Sequence, residues 1–70
     1  MITIKIETDG AAFEGDNLNY EVARILRKIA VDVEEARMQT RYNDINGNGA
    51  VTIKAEIERG QRLGRDEVIR

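Results

Sequence analysis

Val22-Ala23-Arg24-Ile25-Leu26-Arg27-Lys28-Ile29-Ala30-Val31-Asp32-Val33-Glu34-Glu35-Ala36 is the stretch whose spacing decides the fold. Val22, Ile25, Leu26, Ile29, Val33 and Ala36 recur at intervals of three and four, so a 3.6-residue helix gathers them on one stripe. The expected helix runs over about 18–38, with Asn17 or Asn19 as cap and Leu18 where a hydrophobic staple would sit. Arg37 and Arg41 fall near its end, where cations suit the helix dipole.

Upstream, Ile2, Ile4 and Ile6 alternate with Thr3, Lys5 and Glu7. Period-2 alternation of β-branched residues predicts a strand with one buried face, and that face is the expected destination of the helix stripe. Asp9-Gly10 breaks the strand, Gly15-Asp16-Asn17 keeps the chain irregular, and Phe13 is the one large apolar anchor between them. Downstream, Tyr42 to Ile45 leads into Asn46-Gly47-Asn48-Gly49. Val51, Ile53, Ala55 and Ile57 then alternate with Thr52, Lys54, Glu56 and Glu58. Asn-Gly between extended segments predicts a hairpin on a type I′ turn. The expected fold is therefore α+β, in β-α-β-β order, with one helix packed on a three-stranded antiparallel sheet. The longest alternating strand belongs in the centre, giving spatial order 1-3-2, and the polar Arg41 and Asn43 suit an edge. Residues 1–58 form the single expected domain. Residues 59–70 are a tail, a short helix or an added strand; the pattern does not separate these.

Seventy residues without cysteine or histidine allow neither a disulfide nor a Cys/His zinc cluster as a staple for a small core. What is left is an unusually regular core or self-association, and a homodimer is expected. No apolar run reaches the length of a membrane span, and the opening residues lack the apolar region of a signal peptide, so a cytoplasmic location is expected. A net charge of −2 is too small to imply nucleic acid or an anionic membrane as partner.

The chain also lacks serine. Without His, Cys or Ser the usual neutral-pH base and the common nucleophiles are gone, and the acidic pairs that remain fall on expected solvent faces. The glycines form neither a Walker loop nor a dinucleotide fingerprint. Neither catalysis nor a cofactor is expected. Asp44-Ile45-Asn46-Gly47-Asn48-Gly49 matches the first half of a calcium loop, but position twelve is Ala55 rather than a bidentate Glu, so a hairpin is the better reading and no metal site is assigned.

Two surfaces remain as partner-binding candidates. Glu7, Asp9, Glu14, Asp16 and Glu21 form an acidic stretch with no intervening Lys or Arg. On the helix, Tyr20, Val31 and Met38 fall within about 20° of one another and roughly opposite the core stripe, flanked by Arg24 and Arg27. Tyr, Met and Arg are the types enriched in interface cores. Solvated faces are the plainer explanation for both.

Met1-Ile2-Thr3-Ile4-Lys5-Ile6-Glu7-Thr8, Ala11-Ala12-Phe13-Glu14, Glu21 to Ala30 and Asp44-Ile45-Asn46-Gly47-Asn48 together resemble a group of short phage- and prophage-encoded accessory proteins. The likeness covers roughly residues 1–57, and no catalytic or ligand motif travels with it. Gly49-Ala50 departs from the Val-Gly pair common after the turn in that group. The resemblance implies a protein acting in the cytoplasm of a bacterial host by occluding a host protein, as anti-CRISPR and other anti-defence inhibitors do. The acidic stretch would then suit the basic groove of a nucleic-acid-handling partner. Competing readings are a dimeric nucleic-acid-associated regulator using Arg24, Arg27, Lys28 and Arg41, and a weakly calcium-responsive module.

Overall fold

In a computed structural model, which describes residues 1–56, β3 (Gly49–Ala55) is the centre of a three-stranded sheet flanked by β1 (Ile2–Ile6) and β2 (Arg41–Asn43). Both pairings are antiparallel, so the order is β1-β3-β2 and the class is α+β, as the alternation implied. A 3-10 turn at Ala11–Phe13 and the helix α1 (Asn17–Glu34) link β1 to β2. No helix among the described residues is long and apolar enough to cross a membrane. The tail at 59–70, and Ile57 and Glu58 of the expected third strand, lie outside the described residues.

The sheet's inner rows follow from register. Ile6 faces Val51, which faces Tyr42 in turn, and Ile4 faces Ile53. The register slips by one residue between Tyr42 and Asn43, so that Asn43 pairs with Gly49. The extra residue on β3 lets Ala50 and Val51, neighbours in sequence, both be buried. Over them lie Ile25 and Ile29 of the helix, with Phe13, Ala12 and Met38 closing the ends. Burying side chains of this size contributes about 1.5–3 kcal/mol each.

The helix ends, the hairpin turn and the packing on β1 depart from expectation. The helix stops at Glu34, four residues early. The chain reverses there through a Schellman turn: Arg37 N donates to Asp32 O at 2.7 Å and Ala36 N to Val33 O at 3.1 Å. Ala36 takes the left-handed position, φ 56°, that glycine usually fills. An alanine there carries no sequence signal for a stop, which is why the helical spacing reads on to Met38. At the other end Asn17 is already helical, and the preceding Asp16 makes no side-chain capping bond.

The hairpin is not a two-residue type I′ turn. Gly47 N donates to Asp44 O, Asp44 N donates to Asn48 O, and Gly47 alone in this loop has positive φ, at 86°. That is a three-residue loop with the glycine in the left-handed position, so one positive-φ residue suffices where two were expected. The Asp44 carboxylate holds it, with Oδ1 accepting from Asn46 N and Asn48 N at 2.9 Å each.

The helix stripe does not cover all of β1. Ile2 and Ile4 remain 48% and 40% exposed, and Leu26 is 44% exposed. The helix is bonded to β2 and to the hairpin through Asp32 and Glu21, whereas β1 lies on the opposite edge of the sheet. On the sheet's outer face the charges pair along the strands: Lys5–Glu7 and Lys54–Glu56 approach to 3.7 Å, both exposed. Such pairs contribute little.

Candidate partner-binding surface

Glu21 decides the geometry at one end of the molecule. Although a carboxylate, it is buried, because it satisfies three donors at once. Arg24 Nε and an Arg24 terminal nitrogen donate at 2.7 and 2.9 Å, and the backbone N–H of Ile45 donates at 2.7 Å. The Arg24 hydrogen bonds, aided by the Ile45 amide, outweigh desolvation and hold the Glu21 carboxyl below its usual range. The hairpin tip is thereby tied to the first turns of α1, and Glu21 leaves the set of acidic residues free to meet a partner.

The tie leaves a cleft of about 380 Å³ whose walls include Asn17, Tyr20, Arg24, Ile45 and Asn46. Two large side chains stand at its rim unburied, Tyr20 at 77% and Ile45 at 70% exposure. On the far side of the 3-10 turn a second cleft, of about 220 Å³, is lined by Glu7, Asp9, Gly10, Phe13, Asp44 and Asn48. Glu7, Asp9, Glu14 and Asp16 are all exposed. Both clefts belong to the same end, because the loop 7–16, the start of α1 and the hairpin tip 44–48 meet there. Gly10 is close enough that a Cβ on it would touch Asp44 Oδ2 at 3.6 Å.

No family model matches this chain, and no curated protein or solved structure matches it either. The reading of the surface therefore rests on its own residues.

The outer helix line is only partly assembled. Tyr20 and Val31 are exposed, with Arg24 and Arg27 on the same side, but Val31 lies about 16 Å along the axis from Tyr20. Met38 is not on this line. It lies beyond the Schellman turn and is buried in the core. Of the four basic residues proposed as phosphate contacts, Arg24 is engaged by Glu21 and Lys28 donates to Asp32 Oδ1 at 3.0 Å. Among the described residues no group of three or more His, Cys, Asp or Glu is arranged to hold a metal.

In the sequence Ile45 reads only as the residue that leads into the turn, with no sign of the cleft beside it. An isoleucine inside a run of Asp, Asn and Gly is the available signal of exposure: a turn has no core to offer it, so it must project. Asp32 sits on the apolar stripe, and its buried partner, the Tyr42 hydroxyl, explains its place there.

Proposed function

We propose that this protein is a non-enzymatic, phage-type accessory protein that binds and occludes a bacterial host protein in the cytoplasm. An anti-defence inhibitor of the anti-CRISPR kind is the specific form of this reading. The observation that carries it is the pair Tyr20 and Ile45, exposed across one cleft at the end of the fold that also bears Glu7, Asp9, Glu14 and Asp16. An aromatic and an aliphatic anchor beside a partly free guanidinium is the composition of an interface centre, and a rim of carboxylates suits a partner with a basic groove. The likeness to short phage proteins supplies the host context. The absence of His, Cys and Ser from the chain favours occlusion over chemistry.

The test uses the full chain as bait in bacterial lysate, alongside two variants. One carries Glu7→Gln, Asp9→Asn, Glu14→Gln and Asp16→Asn; the other carries Tyr20→Ala and Ile45→Ala. Proteins that the native chain retains should be lost from the second variant, and retained by the first only weakly. Capture should also weaken with added salt. An unchanged set of captured proteins with both variants overturns the reading.

A further inference from the structure

The outer edge of β1 has no strand partner among the described residues. Met1 and Glu56 exchange both backbone bonds, Met1 N donating to Glu56 O at 2.6 Å and Glu56 N to Met1 O at 2.8 Å, and Glu7 N donates to Ala50 O at 2.8 Å. In an antiparallel ladder bonded and non-bonded pairs alternate. The odd positions of β1 therefore bond to β3, and the N–H and C=O groups of Ile2, Ile4 and Ile6 point to the open side. Nothing among the described residues pairs with that side. The same three residues carry the strand's inner face, and Ile2 and Ile4 are the half-exposed ones.

We propose that β1 pairs antiparallel with β1 of a second copy, about a two-fold axis at Ile4. In that register Ile4 faces Ile4 and Ile2 faces Ile6 of the other copy. All the open groups are then used, for about six inter-chain hydrogen bonds. On the outer face Thr3 lies opposite Lys5. Sliding the pair two residues one way sets Lys5 against Lys5, an unfavourable like-charge contact, and a slide either way forfeits about two bonds. The axis keeps both helices on one face of a continuous six-stranded sheet. Leu26 is on the flank of α1 turned away from Glu21 and Asp32, about 100° round from Ile25. It therefore faces the seam and is covered along with Ile2 and Ile4. An uncovered apolar edge strand invites uncontrolled pairing, and a closed two-fold pairing removes it.

The chain has no cysteine, so a single introduced one reports the register. Ile4→Cys should form a disulfide dimer readily under mild oxidation, since facing Cα atoms in a bonded pair are about 5.5 Å apart. Lys5→Cys, offset along the strand, should cross-link far more slowly. Ile4→Pro removes an N–H that serves no bond to β3 and should raise the dimer dissociation constant at least about tenfold while the circular dichroism stays native. If that variant fails to fold, the cross-linking pair decides. Sedimentation of the native full chain over about 1–200 µM should show monomer–dimer exchange. A monomer throughout, whether residues 57–70 cover the edge or it stays bare, overturns the proposal; so does faster cross-linking at Lys5 than at Ile4.

Discussion

The Tyr42 hydroxyl donates to Asp32 Oδ2 at 2.7 Å and in turn accepts the backbone N–H of Gln39 at 3.0 Å. Lys28 takes the other oxygen of Asp32. One buried carboxylate thus fastens α1 to β2 and to the connection between them. Tyr42→Phe removes the hydroxyl while keeping the ring, leaving the carboxylate short of a donor and the Gln39 amide without an acceptor. The expected loss is about 1.5–3 kcal/mol, read by urea denaturation.

The same network sets the response to pH. The hydrogen bond from Tyr42, then that from Lys28, holds the Asp32 carboxyl below its ordinary value, as Arg24 does for Glu21. A depressed carboxyl contributes stability that is complete above the unfolded-state value and is lost as pH falls through the folded one. The thermal midpoint should hold steady down to about pH 5 and decline below about pH 4. Burial, and secondarily the neighbouring Asp32, raise Tyr42. Its contribution should be complete below about pH 10 and lost as pH climbs further through its raised value. A Glu21→Gln, Asp32→Asn double variant should show a shallower acid limb than the native chain; an identical limb would mean other carboxyls control it.

Ala36 offers a stabilising substitution. At φ 56° its Cβ crowds the backbone, and Ala36→Gly should stabilise by about 1 kcal/mol. Gly47→Ala should cost about as much, because it introduces the same crowding at the hairpin. Denaturant midpoints with unchanged slopes would report both.

Glu21→Ala should loosen the hairpin tip in a way that a global midpoint understates. The Ile45 amide loses its acceptor and Arg24 its anchor. Hydrogen exchange at the Ile45 N–H should speed up more than at Val51 N–H in β3, a local opening rather than a general one. Equal acceleration at both positions would contradict the tie.

Tyr20→Ala should leave stability within about 0.5 kcal/mol, as befits a surface substitution. It should still weaken partner retention at least about tenfold, the hot-spot behaviour expected of an exposed aromatic at an interface. Loss of stability in parallel with binding would place Tyr20 in the folding core instead.

The fold was legible because alternation and helical spacing report burial directly. Ile53 and Val51, or Ile25 and Ile29, could face only inward. What could not be read was where polar groups would be spent. Asp32 looks out of place on the apolar stripe, and Glu21 looks like one more solvent-facing acid, until Tyr42 and the Ile45 amide, far along the chain, are known as partners. The acidic stretch shows both sides of this: Glu7, Asp9, Glu14 and Asp16 are outside as expected, whereas Glu21 is committed to Arg24 and Ile45. Spacing gives a residue's direction, but not the long-range bond that can use up its charge.

Glu21, Asp32 and Asp44 are the buried polar side chains of the described core, and each pins a chain reversal: the tip, the connection after α1, and the turn itself. They occupy the role that cross-links fill in many domains of this size. A thiol-based staple would open in a reducing medium and close in an oxidising one. Carboxylates do neither, so this fold should hold equally well on either side of such a redox boundary, with thiol reagents leaving its unfolding curve unmoved.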